Sequence, residues 1–281
     1  MAQTKFRRLR SIIVIGLAVV AFPTITNASH SWGGYHWART TPQFTLKLGN
    51  NMTTADWRGH LATSSSNWNS GNSAVLTAIV AGTAGKRCSM VAGTTQVCNG
   101  AYGSNGWLGL ASINITGGTH ITQGSAKMND TYFSTATYNN PNEREHVVCQ
   151  EVAHTFGLDH QSTDGSSQNS CMDYFSNTGA NATSTLSTKP NAHDFQELNI
   201  IYAHLDSTTT VAAMAAMAAS AVSVDVDDDP NSWGQLMSQS GNGRSSTYER
   251  HNWDGSKTIT HIYWTQEAAS LCTSCDHRSN R

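Results

Sequence analysis

CQEVAHTFGLDH (residues 149–160) contains the spacing that most constrains the fold of this sequence. If its first half is helical, Gln150 and His154 lie one turn apart on the same face, so their side chains can meet at one point. Glu151 then lies beside that point. The segment therefore predicts a helix that presents two potential metal ligands and one adjacent carboxylate.

Gly157 predicts where this helix ends. Three residues after His154, a glycine can adopt the left-handed conformation that closes a helix and turns the chain sharply. That turn can return His160 to His154, which with Gln150 gives three protein ligands and one open position, the arrangement of a catalytic Zn²⁺ site. Such a metal lowers the pKa of bound water and polarises a carbonyl group. Glu151 would then be the general base for the water and the acid for the leaving amine.

The hydrophobic pattern of the chain indicates an α+β fold. Alternating or short apolar segments at 44–50, 74–82 and 106–116 predict strands. Helices are predicted over 142–156 and 192–205. Strands followed by a long helix, a metal-binding loop and a last helix predict a mixed sheet with helices packed against it.

Two motifs resemble those of a known family. The pattern ExxHxxGxxH, which begins at Glu151, resembles the zinc-binding helix of the metzincin metalloproteases, and SCMDY (170–174) resembles their Met-turn. The resemblance implies that Met172 lies beneath the metal and that Tyr174 reaches the metal or the oxyanion of the reaction.

The likeness is to the matrixin group and runs from about Trp37 to Asp206. It implies a twisted mixed sheet, an active-site helix, a Met-turn and a C-terminal helix. It also implies that the segment at 106–116 is the edge strand that pairs with a protein or peptide substrate. We therefore expect a Zn²⁺-dependent endopeptidase.

Gln150 departs from the family pattern, which has histidine at this position. His146 is eight residues from His154, about 12 Å along a helix, and is too far away to share its metal. The neutral amide oxygen of Gln150 can replace the missing imidazole, with weaker zinc binding and a more Lewis-acidic metal. The alternative is a catalytically inactive domain that binds peptides or surface ligands in the same cleft. Glu151 favours the enzyme, because a binding cleft has no evident need for a carboxylate there.

The six cysteines are an even number, as expected for a disulfide-bonded chain. Spacing pairs Cys88 with Cys98 and suggests a second bond between residues 272 and 275, while a four-cysteine zinc site is the rival interpretation. Cys149 and Cys171 remain. The family geometry places the helix against the Met-turn, so a bond between these two would join the two halves of the site.

Both ends of the chain differ in composition from its centre. Residues 1–28 are basic, then apolar, then small, which is typical of a signal peptide, so we expect a secreted protein without stable membrane insertion. The domain at 29–206 is followed by an Ala-rich and acidic linker (207–230) and a small β-rich C-terminal region (231–281). The acidic run could bind calcium, but it lacks the glycine and terminal glutamate of a calcium loop.

Charge and the remaining histidines complete the sequence-based expectations. The formal net charge of the chain is −2, and no basic stripe is present, which argues against nucleic acid as a partner. We expect a monomer whose partner is a protein or peptide substrate. Four further histidines are assigned no role, because such residues are more often surface or core histidines than ligands: His193, His204, His251 and His261.

Overall fold

The computed structural model describes Met1 and residues 29–85, 87–211 and 228–280. The predicted signal peptide, apart from Met1 itself, and most of the predicted linker lie outside the described residues. Within the described ranges, no helix has both the length and the apolar character needed to span a bilayer.

Strands and helices alternate through the first two thirds of the described chain, and strands dominate the rest. The strands are β1 (His36–Trp37), β2 (Phe44–Asn51), β3 (Val75–Ala81), β4 (Thr94–Gly100), β5 (Trp107–Thr116), β6 (His120–Asn129), β7 (Gln235–Gln239), β8 (Ser245–His251) and β9 (Lys257–Trp264). The helices are α1 (Ala55–Trp68), α2 (Asp130–Phe133), α3 (Pro141–His154), α4 (Ala192–Ile201) and α5 (Gln266–Leu271). The fold is therefore mixed, with a large sheet and a few helices.

The strands form one sheet in the order β3-β2-β4-β6-β5-β9-β8-β7, and β1 pairs with β6. Pairs among β1, β2, β3, β4 and β6 are parallel, whereas β5 runs antiparallel to both β6 and β9. The three C-terminal strands are antiparallel to one another. The β-rich region expected after the linker thus extends the main sheet beyond β5.

Helix α3 has local signals at both ends. Asn140 caps it by accepting a hydrogen bond from the backbone N–H of Glu143, and Pro141 occupies the first turn, where no N–H is required. Every residue from Val147 to His154 is buried. The helix packs against β5 and β6, and this placement puts its last turn beneath the centre of the sheet.

Two tryptophans fix the C-terminal half of α3 in the core. The indole of Trp37 donates to the carbonyl of Thr155 at 2.8 Å, and that of Trp68 donates to the carbonyl of Cys149 at 3.3 Å. Both side chains are fully buried. Large apolar area and a satisfied N–H together hold the helix end in one position.

Candidate metal centre

His154 is the last residue of α3. Its Nδ1 lies 2.8 Å from the carbonyl oxygen of Leu158, so we assign the ring proton to Nδ1 and a free lone pair to Nε2. Burial, together with the nearby His160, lowers the pKa of His154 to about 3. The ring is neutral at physiological pH and can bind a cation through Nε2.

His160 is returned to His154 by the turn at Gly157. The φ of Gly157 is 97°, and a Cβ there would lie 1.9 Å from the carbonyl oxygen of Tyr35, so only glycine fits. The Nδ1 of His160 donates to Asp159 Oδ1 at 2.9 Å, which leaves Nε2 unprotonated. Burial lowers the pKa of His160, despite the opposing effect of Asp159.

The two free nitrogens face each other. The Nε2 atoms of His154 and His160 are 3.1 Å apart. Two lone pairs at this distance repel each other unless a proton or a metal ion lies between them. Zinc–nitrogen bonds of about 2.0–2.1 Å place tetrahedral ligands about 3.4 Å apart, close to the observed separation. The donor set therefore fits a metal ion.

His261 joins these two histidines. It lies on β9, and one ring nitrogen of each of the three residues falls within 4.8 Å of the others. The ring centroid of His261 is 4.0 Å from that of His154 and 4.6 Å from that of His160. No role is predicted for this residue from the sequence, since about a hundred residues of chain separate it from the ExxHxxGxxH motif.

Glu151 lies next to His261 with both carboxylate oxygens buried. Neither oxygen has a hydrogen-bond partner within the described ranges. Its Oε2 is 3.6 Å from His261 Nδ1, beyond hydrogen-bonding distance. Burial raises the pKa of Glu151 and lowers that of His261, so this contact is not an ion pair. Gly109 on β5 makes room for the carboxylate, because a Cβ there would lie 2.3 Å from Glu151 Oε1.

Gln150 is directed towards the Met-turn. Its Nε2 donates to the carbonyls of Cys171 and Asp173 at 2.9 and 2.8 Å, which fixes the orientation of the amide. Its Oε1 is buried and has no hydrogen-bond partner among the residues described. The predicted metal ligand is thus an oxygen with an unused lone pair, and its binding of metal stays a prediction.

The Met-turn lies against α3 as the resemblance implied. A disulfide joins Cys149 to Cys171, and Met172 is fully buried. The hydroxyl of Tyr174 is 2.9 Å from His160 Nδ1 and 3.5 Å from His261 Nε2. Of the two residues predicted in this turn, Tyr174 therefore reaches the histidines, whereas a position of Met172 beneath a metal stays a prediction.

Of the two other predicted disulfides, one is confirmed and one is wrong. Cys88 and Cys98 form a disulfide. Cys272 and Cys275 are not joined by a disulfide; in the turn after α5 the thiol of Cys275 donates to the carbonyl of Cys272 at 3.6 Å. Two disulfides suggest an oxidising, extracellular environment.

The predicted substrate strand is paired along its length. β5 was expected to be a free edge, but its outer side pairs with β9 from Trp107 opposite Trp264 to Ile115 opposite Lys257. The centre is closed by this strand: Glu151 and His154 have no exposed surface.

Comparisons with known proteins include a distant structural similarity. No family model and no curated protein matches the sequence. A solved structure described as "Structure of Myroilysin" is similar at 15% sequence identity and a TM-score of 0.32, over 62% of this chain and 82% of that chain.

Proposed function

We propose that this chain is a metal-dependent peptidase of metzincin type. The observation that carries the proposal is the pair of unprotonated Nε2 atoms 3.1 Å apart, beside a buried carboxylate without a hydrogen-bond partner. His154 and His160 would hold the ion, with Gln150 Oε1 as the predicted third donor. Bound zinc would supply Lewis acidity and lower the pKa of water.

Glu151 is the proposed general base. Burial raises its pKa, which makes the carboxylate a stronger acceptor for a proton from water, and the same group can then return that proton to the leaving amine. Its carboxylate is held by α3 on one side and faces Gly109 on the other. The base therefore lies between the helix and the strand that would bind the substrate.

Tyr174 is the proposed oxyanion donor. The Tyr174 hydroxyl lies 2.9 Å from His160 Nδ1 and 3.5 Å from His261 Nε2. Burial raises the pKa of Tyr174, so the hydroxyl keeps its proton. A neutral phenol can donate a hydrogen bond to an oxygen that gains negative charge in the transition state. A polypeptide can reach this point only when β9 leaves β5.

The test is metal content together with hydrolysis. Purified chain loaded with Zn²⁺ is analysed by native mass spectrometry, and cleavage of a denatured protein is followed with and without chelator. The chain with Glu151→Gln should retain zinc and lose hydrolysis by about four orders of magnitude. Zinc loading without cleavage, in this chain and in variants that open the site, would contradict the proposed function.

A further inference from the structure

Strand β9 lies where a peptide substrate would pair. A peptidase that binds its substrate as an added strand needs a free strand edge beside the metal. In this chain, β9 takes that edge along almost all of β5, in continuous antiparallel register apart from one irregularity near Trp107. The C-terminal strand thus has the position and the backbone hydrogen bonding expected of a substrate.

The side chains of β9 alternate between the two faces of the sheet, and this alternation directs His261 towards the metal centre. Ile259 and Tyr263 belong to the main core with α3, whereas Ile262 and Trp264 belong to a second apolar cluster on the other face. Because side chains alternate between faces along a strand, His261 points to the same side as Ile259 and Tyr263. A shift of one residue would turn this histidine away from the metal centre.

The ring of His261 occupies the space between the proposed catalytic groups. Its Nδ1 lies 3.6 Å from Glu151 Oε2, and its Nε2 lies 3.5 Å from the hydroxyl of Tyr174. In the proposed reaction, water and the scissile carbonyl would stand between these same two groups. His261 Nδ1 has no hydrogen-bond partner in the described part of the chain.

We infer that β9 is an internal inhibitory strand, which closes the site by placing His261 on the metal in the position that water needs for hydrolysis. This inference rests on the proposed function. β9 lies between β5 and β8, so β7, β8 and β9 can leave together and expose the edge of β5. Activation is then the displacement of the C-terminal strands.

Replacing His261 tests the ligand. In the full chain, His261→Ala should retain one zinc at the centre and raise the rate of peptide cleavage by about tenfold. The reason is that residue 261 can no longer bind the metal, so the metal no longer stabilises the closed position of β9. His251→Ala is the matched control, since this histidine lies on β8 with its side chain 81% exposed. Loss of zinc from the His261→Ala chain would overturn the inference, because His261 would then be a permanent ligand.

A cross-link tests the strand. Ser112 and Thr260 are opposite each other on β5 and β9, with hydroxyls 3.0 Å apart. Cysteines at both positions, added to His261→Ala, should abolish cleavage when oxidised and restore it on reduction. Each single cysteine variant, treated with the same reductant, controls for the native disulfides. Equal cleavage by the oxidised and reduced double variants would overturn the inference. Zinc-loaded but inactive protein after reduction would instead refute the proposed function.

A second inference comes from a separate cluster around Asp206. Its Oδ1 lies 3.2 Å from His120 Nε2, 3.5 Å from His36 Nε2 and 3.7 Å from His204 Nε2. The last two nitrogens are only 3.2 Å apart. These residues come from β1, the start of β6 and the segment after α4, so their convergence is produced by the fold.

The orientation of His36 in this cluster is fixed from behind. Its Nδ1 donates to the carbonyl of Gly34 at 2.9 Å, which leaves Nε2 free to face Asp206 and His204. The second carboxylate oxygen of Asp206 accepts the backbone N–H of Arg39 at 3.0 Å. An imidazole that is oriented by a backbone carbonyl, as His36 is, and lies next to a carboxylate is typical of a zinc ligand.

The geometry points to a structural divalent-metal site at His36, His204 and Asp206, with His120 next to the carboxylate of Asp206. A metal there would join β1 to the segment that follows α4 and so stabilise the domain without taking part in hydrolysis. No cleft for a substrate is needed at this position.

Metal counting tests the second site. Native mass spectrometry of the zinc-loaded full chain should show two ions, and one ion in each of the variants Asp206→Asn and His204→Ala. Asparagine can still accept the Arg39 N–H, so the change removes chiefly the charge. Asp56→Asn is the control, because Asp56 lies 3.8 Å from a single histidine, His60. Two ions in the Asp206→Asn chain, or no ion left after His154 and His160 are both replaced by alanine, would overturn the assignment.

Discussion

The Nε2 atoms of His154 and His160 lie 3.1 Å apart although one residue ends a helix and the other follows it. The approach depends on Gly157, whose positive φ turns the chain back. Its missing Cβ also admits the carbonyl of Tyr35. Backbone conformation and close packing therefore act on the same residue to bring the two imidazoles together.

Gly157→Ala should separate these histidines. The change forces an alanine into the left-handed conformation, which costs about 1–3 kcal/mol, and the clash of its Cβ with the Tyr35 carbonyl adds to this cost. We therefore expect lower stability and weaker zinc binding. Thermal unfolding and zinc titration measure both effects. Gly118→Ala is the matched control, because its φ is 91° but no atom lies within 4 Å of an added Cβ. An equal loss in both variants would show that the contact with Tyr35 is unimportant.

Gly109→Ala should affect catalysis more than metal binding. The added Cβ would meet Glu151 Oε1 at 2.3 Å, so the carboxylate must move away from β5. We expect zinc to be retained and kcat for peptide cleavage to fall by about a hundredfold in the His261→Ala background, as misplacement of a catalytic group by about 1 Å does. Gly241→Ala, where an added Cβ meets no atom within 4 Å, should leave kcat unchanged. A change in KM alone would contradict the role of Gly109.

Local sequence patterns were enough to predict several of the observed strands. The strands expected at 44–50, 74–82 and 106–116 are observed at Phe44–Asn51, Val75–Ala81 and Trp107–Thr116. Period-two alternation and a capped helix depend on neighbours in sequence, which is why they can be read from it. The convergence of His154 with His160 was also predictable, since one glycine turn separates them.

The closing strand could not be predicted in the same way. The alternation in TITHIYW (258–264) indicates a strand and which residues share a face, but does not indicate which strand it pairs with. β9 meets β5 across roughly 150 residues of chain, a contact set by tertiary packing. For this reason His261 received no role, and the edge of β5 was expected to be free.

Removing the disulfide beside the site should loosen the metal. Cys149 and Cys171, 22 residues apart, join α3 to the Met-turn, and replacing both with alanine should cost about 3 kcal/mol of stability. We also expect weaker zinc binding, since Gln150 donates to the carbonyl of Cys171. The double alanine variant of Cys88 and Cys98 controls for general destabilisation. If both double variants bind zinc equally well, the bond near the site only stabilises the fold.

Asp276 should make the C-terminal region sensitive to acid. Burial raises the pKa of this carboxyl, but hydrogen bonds and charge from Arg278 outweigh burial and hold the pKa below its ordinary value. A depressed pKa adds stability above the unfolded pKa of about 3.9, and this stability is lost as pH falls through the folded pKa. Asp276→Asn should therefore lower Tm at pH 7 by a small amount, since the pair is partly exposed. The difference from wild type should vanish near pH 2; a constant difference would contradict this account.

Gln150→Glu should separate the two tasks of this side chain. The amide N–H bonds to the carbonyls of Cys171 and Asp173 are lost, and two buried carbonyls then face a carboxylate, so the metal-free protein should lose about 1–3 kcal/mol of stability. If the oxygen of Gln150 binds zinc, a carboxylate oxygen in its place is a stronger donor, and zinc affinity should rise. Thermal unfolding with and without zinc measures both changes: the variant should be less stable than wild type without zinc, and zinc should stabilise it more than it stabilises wild type. Gln150→Met, which removes the oxygen and the N–H together, should reduce both the stability of the metal-free protein and its zinc affinity. Zinc affinity equal to wild type in that variant would exclude Gln150 as a ligand.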